Sequence, residues 1–216
     1  MKSSFISEGS EMGEKESSDG KMVIREIMSG FFAPGVWDAN RGFRKGRLQG
    51  IELVGHFEIS IDDLDRFLDD PSHVATLWGS LSVGTLGEDL MLQGGVFNFT
   101  ADPSAGRHMT YEGKFEALGR PYVFTGYKEM DDDDRIGDAV SDITTLLVTI
   151  REAEPSVGIF GAGIMHFHLR GMPGLFRSIQ TPGASDDERV AMITKYFRFA
   201  YGSLADTFLA GVVRVD

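Results

Sequence analysis

The chain has 216 residues, 42% hydrophobic and 25% charged, enough for one large all-β domain or two small ones and too apolar for global disorder. Its 33 acids against 21 Lys plus Arg give a formal charge of −12, a balance that disfavours phosphate backbones and anionic membranes and sets nucleic acid aside as a partner. The absence of cysteine excludes disulfides, thiolate metal sites and cysteine nucleophiles.

Residues 1–21 are rich in Ser, Glu, Gly and Lys and carry no apolar stretch of the signal-peptide kind, so a disordered tail is expected. No later run approaches the ~20 apolar residues of a spanning helix. The expectation is a soluble, cytoplasmic protein without a transmembrane segment.

Residues 23–29 read as a first strand. After 31–37 comes a glycine- and arginine-rich loop over 38–46, where Arg41, Arg44, Lys45 and Arg47 form the main basic cluster of the chain. A solvated loop paired with nearby acids is the expected reading, and an anion site is the alternative. Residues 48–60 form a long strand with Ile51, Leu53, Gly55, Phe57 and Ile59 on one face and Glu52, His56 and Glu58 on the other. Residues 61–70 switch to helical spacing, with acids in the first turn and Pro71 as the stop.

From 74 to 130 the pattern becomes four successive strands. Leu77, Gly79, Leu81 and Val83 alternate with Thr76, Trp78, Ser80 and Ser82, and a turn at 84–88 leads into a strand over 90–100. The clearest alternation is 107–117: Met109, Tyr111, Gly113 and Phe115 share one face, and His108, Thr110, Glu112, Lys114 and Glu116 the other. A hairpin through Leu118 and Gly119 joins it to a strand over 121–130. Glycines recur inside these strands at Gly79, Gly94, Gly95, Gly113 and Gly126. Interior glycine weakens a strand and persists where a sheet bends sharply, so its repetition points to a coiled sheet closed into a barrel.

Asp131–Asp134 falls where a turn belongs. It fails as a calcium loop because Arg135 and Ile136 stand where an oxygen ligand and a glycine are required. Strands follow over 143–151 and 157–169, the second placing Ile159, Gly161, Gly163, Met165 and Phe167 on one face. Ser185 with Glu188 forms a capping box for a final helix of about 25 residues, with Gly211 as its stop. The predicted organisation is a tail over 1–21, a calycin- or lipocalin-like antiparallel β-barrel over 22–184 with one short internal helix, and a C-terminal helix over 185–211 packed on the barrel.

The candidate chemistry is sparse. His166 and His168 share a strand face and could meet one metal if Glu58, His56 or His108 supplied a third ligand; the plain reading is the polar face of a strand. Gly158–Gly163 lacks the glycine order of a dinucleotide loop and runs on as a strand, and no phosphate-loop or nucleophile-elbow motif occurs. No cofactor is expected. Phe57, Met109, Tyr111, Phe115, Phe124, Met165 and Phe167 lie on the apolar faces and form a candidate lining for an apolar small molecule, lipid or sterol-like. The same residues would equally suit a filled core without a cavity.

The order of several segments is familiar: Ile61-Asp62-Asp63-Leu64-Asp65-Arg66-Phe67-Leu68-Asp69-Asp70-Pro71-Ser72-His73, then Gly94-Gly95-Val96-Phe97-Asn98-Phe99, His108-Met109-Thr110-Tyr111 and Phe124-Thr125-Gly126-Tyr127-Lys128, then Asp142-Ile143-Thr144-Thr145-Leu146 and Gly163-Ile164-Met165-His166. Over residues 50–169 the chain resembles the accessory, non-flavin region of some large bacterial oxidoreductases of the glucose-methanol-choline family, the cholesterol-oxidase-like group. The flavin-binding fingerprint of that family is missing and the chain is too short for its catalytic domain, so no flavoenzyme activity and no catalytic residue carry over. The resemblance implies a stand-alone relative of the accessory region in steroid or lipid metabolism, with an oxidoreductase as a partner. Three functions follow as expectations: a non-catalytic container for an apolar molecule, a barrel enzyme using His166 and His168, or a ligand-free interaction module.

Overall fold

A computed structural model describes residues 20–102, 106–130, 144–154, 158–167 and 178–202. They form ten strands and three helices: β1 (Met22–Pro34), α1 (Ala39–Gln49), β2 (Glu52–Ile61), α2 (Leu64–Asp69), β3 (Val74–Val83), β4 (Gly87–Met91), β5 (Gln93–Asp102), β6 (Gly106–Ala117), β7 (Arg120–Met130), β8 (Thr145–Glu152), β9 (Ile159–Phe167), β10 (Ile179–Gln180) and α3 (Asp186–Tyr201). Eight strands close an antiparallel barrel in the order β1-β2-β3-β5-β6-β7-β8-β9, with β9 returning to β1. The barrel expected from the repeated glycines is therefore present.

Register follows from alternation. Leu53, Phe57 and Ile59 of β2, Leu77 and Leu81 of β3, Phe97 and Phe99 of β5, and Tyr111 and Phe115 of β6 all point inward and are buried in one continuous core. The β6–β7 hairpin turns on Leu118 and Gly119, both with positive φ (51° and 74°), between paired Ala117 and Arg120. Positive φ at both central positions matches the right-handed twist of the flanking strands.

Several boundaries differ from the sequence expectation: the first strand runs on to Pro34, and the strand expected over 48–60 starts only at Glu52, since residues 48 and 49 belong to α1. The strand predicted over 90–100 is two strands, β4 and β5, broken at Leu92: its amide bonds the Gly79 carbonyl, and a bulge between Gln93 and Val96 follows, with Gly94 at φ +58°. The loop predicted over 38–46 is helix α1, started by Asp38, whose carboxylate accepts from the Arg41 amide at 2.7 Å. Its glycines serve close packing. A Cβ on Gly42 would lie 2.1 Å from the Ala162 carbonyl oxygen, and one on Gly46 2.3 Å from that of Phe32. The helix thus rides directly on the outer backbone of β9 and β1, burying Ala33, Ala162 and Ile164. The last helix keeps its predicted start, a full Ser185–Glu188 capping box, and ends at Tyr201 with Gly202 as its cap, short of Gly211. Asp131–Asp134 lies outside the described residues.

Helix α3 packs over one end of the barrel. Phe199 lies 4.8 Å from the ring of Phe99 and 4.7 Å from that of His73, and His73 is fixed by its Nδ1 at 2.7 Å from the Phe67 carbonyl. A Lys195–Asp65 ion pair ties α3 to α2.

Candidate functional site

The inward phase of β1 runs Met22, Ile24, Glu26, Met28, and that of β7 runs Tyr122, Phe124, Gly126, Lys128. Each contains one charged residue where its neighbours are apolar. β1 and β6 stand on opposite sides of the eight-strand ring, four strands apart. Tyr111 of β6 spans the lumen, and its phenol donates to Glu26 Oε2 at 2.8 Å. Lys128, on the strand beside it, donates to Tyr111 Oη at 3.4 Å and lies 3.6 Å from Glu26 Oε1, with its ammonium 5.5 Å from the Tyr111 ring centre. Lys128 is 2% exposed and Glu26 8%.

Physical chemistry makes this cluster expensive. Removing a carboxylate and an ammonium from water costs several kcal/mol per ion, and an apolar replacement of the whole set is often neutral or stabilising. The geometry recovers only part of that cost. Charged hydrogen bonds usually close to about 2.7–2.9 Å, and among the described residues both acceptors of Lys128 are longer. An ammonium has three protons to donate, so donor capacity remains inside the barrel. The cluster can donate from Lys128, accept at Glu26 and relay through Tyr111. Its formal charges sum to zero.

The seven predicted lining residues fall together. Phe57, Met109, Tyr111, Phe115, Phe124 and Met165 are buried in the single core cluster, and Phe167 packs against it half-buried. They pack on one another: Phe57 stacks on Phe124 at 5.6 Å and lies 5.7 Å from Tyr111, which meets Phe97 edge-on at 5.2 Å. At this level rings fill the lumen. Four methionines, Met22, Met28, Met109 and Met165, are buried in the same core, and Met109 pairs directly with Lys128 across β6–β7.

The histidines do not converge. His166 points outward, away from the lumen, with the Phe43 ring of α1 edge-on at 5.6 Å and Thr145 Oγ1 3.3 Å from its Nδ1. His56 is exposed on the outer face of β2, Glu58 is engaged by Arg25 at 2.8 Å, and His108 sits outside β6 against the Tyr127 ring at 5.2 Å. His168 lies outside the described residues. No group of three potential metal ligands forms among the described residues. A cleft of about 540 Å³ between α2 and α3 is lined by Asp63, Asp65, Glu188, Met192 and Lys195. Its carboxylates are already in use: Asp63 caps α2, Asp65 pairs with Lys195, and Glu188 closes the α3 capping box.

No family model matches the chain, and searches of curated proteins and of solved structures return no significant match.

Proposed function

We propose that the barrel is a non-catalytic binding protein for a small, mostly apolar molecule, lipid or sterol-like, whose one polar group is held by Glu26, Tyr111 and Lys128. The observation that carries this reading is a buried ammonium with unfilled donor capacity inside a lumen of aromatic and methionine side chains. Binding sites for such molecules are predominantly apolar with a few placed polar groups, and eight-stranded barrels of calycin-like shape are wide enough for one small ligand. The methionines supply adaptability, since an unbranched thioether re-packs at low cost and can yield space beside the filled aromatic layer. The zero charge sum favours a hydroxyl or carbonyl over a carboxylate, because a third charge would leave the buried cluster uncompensated.

Native mass spectrometry followed by solvent extraction tests the reading. The expected result is a stoichiometric apolar molecule bearing a hydroxyl or carbonyl, and a matched long-chain alcohol that raises Tm more than the corresponding acid or hydrocarbon. A bare polypeptide mass, with no rise in Tm across a lipid and sterol panel, would sink it.

A second reading, an interaction module for an oxidoreductase, is favoured by the bare outer wall of β3 to β5, where Val74, Trp78, Met91 and Val96 are exposed. Its test is the loss of a partner complex in Trp78→Ser with the fold intact.

A further inference from the structure

Helix α1 presents a surface that the barrel reading leaves unused. Its inner face is fixed, because Gly42 and Gly46 sit on the β9 and β1 backbones and Phe43 is edge-on to Phe31 at 5.7 Å. Arg41, Arg44, Lys45, Arg47 and Leu48 are therefore held outward on a rigid base, all exposed. The sequence reading pairs these cations with nearby acids. The structure shows otherwise: among the described residues none of the four meets a carboxylate, Lys45 donates to the Pro34 carbonyl at 3.4 Å, and Asp38 is engaged in capping the helix. Two large apolar side chains stand at the ends of this basic ridge, Leu48 at 89% exposure and Trp37 at 75%.

We propose that α1 is a docking surface for an anionic lipid bilayer. Four cations within seven residues complement a negatively charged headgroup plane. A tryptophan favours the membrane–water interface, where its ring is buried and its N–H stays wet, and an exposed leucine gains by entering the acyl boundary. The chain's overall −12 charge argues against an anionic surface only at long range. At physiological ionic strength the field decays over roughly 8 Å, so the contact is governed by the local ridge. Soluble polyanions would satisfy the cations and leave Trp37 and Leu48 without a role. The surface is independent of what the barrel holds.

The test is co-sedimentation of the full chain with vesicles of phosphatidylcholine alone or mixed with phosphatidylglycerol, at low and high salt. Binding is expected only to the mixed vesicles and should weaken with salt. Arg44→Ala and Arg47→Ala should each reduce partitioning about five-fold. Trp37→Ser and Leu48→Ser should weaken it with every charge intact. In a Trp78→Phe background, Trp37 emission should shift to the blue on the mixed vesicles. Circular dichroism of each variant should match the parent, since these side chains point away from the barrel. Equal binding to neutral vesicles, or none to either, overturns the proposal. So does retention on heparin that survives Trp37→Ser and Leu48→Ser without vesicle binding, which would assign the ridge to a soluble polyanion.

Discussion

Lys128 and Arg44 carry the same charge in opposite surroundings. Lys128 stands in the lumen at 2% exposure, with a carboxylate and a phenol gathered around it from strands on both sides of the ring. Arg44 stands on the outer face of α1 in water, in a chain with twelve more acids than Lys plus Arg, and meets no carboxylate among the described residues. Burial makes a partner obligatory, whereas at the surface pairing is optional: Arg25 meets Glu58 and Lys195 meets Asp65, while Arg44 meets no carboxylate among the described residues. In a low-dielectric interior a lone charge is costly, so a partner must be built in. At the surface water screens it, and an ion pair is worth little.

That contrast can be broken most directly at the buried end. Lys128→Met leaves Glu26 buried with the Tyr111 hydroxyl alone and should cost about 3–5 kcal/mol in denaturant unfolding. Replacing the whole cluster, by Glu26→Leu, Tyr111→Phe and Lys128→Met together, should return stability to the parent value or above it while abolishing the preference for an alcohol over a hydrocarbon. A triple variant as unstable as the sum of its parts would mean that the three groups are not coupled.

The seat of the exposed cations comes next. Gly46→Ala drives a Cβ toward the Phe32 carbonyl, which is backbone and cannot swing aside, so a loss of about 1–3 kcal/mol is expected in the same assay. An unchanged midpoint would show that α1 can lift without cost.

Glu188 lies between the two extremes, exposed yet held by hydrogen bonds. The hydroxyl of Ser185, and then its backbone amide, lower the Glu188 carboxyl below its ordinary value of 4.5. Its contribution is therefore fully present above that value and is lost as pH falls through the lowered one. Ser185→Ala should reduce Tm by about 2–4 °C near neutrality, and the difference from the parent should shrink in acid. A constant difference across that range would separate the cap from the carboxylate. The smallest expected effect is that of Arg44→Ala, within about 0.5 kcal/mol of the parent, although it removes the same charge as Lys128→Met.

Much of the architecture is legible in the residues. The alternation at 107–117, the apolar face from Leu53 to Ile59 and the glycines inside the strands are local consequences of a curved, half-buried sheet, and they locate the strands and separate an apolar face from a polar one; which face turns inward follows only from closure. The Ser185–Glu188 spacing locates a helix start for the same local reason. Helix α1 is harder to read, because glycines four apart look like a loop until a neighbouring backbone is present to need them. The seven aromatic and methionine residues on the apolar faces are legible as a set that shares one core. Glu26 and Lys128 announce themselves only as charged residues in an apolar phase, and the phase alone does not say that they meet.

The alternation, the turn at Leu118–Gly119, the capped start of the final helix and the apolar face of each strand are all written locally, since each depends on residues adjacent along the chain. The folded barrel adds that β9 closes on β1, that the apolar faces turn inward, that His166 faces α1 and not the lumen, and that Glu26 meets Tyr111 85 residues away in the chain. Closure and cross-lumen contact depend on the register and curvature of all eight strands together, a property that no single segment of the chain carries.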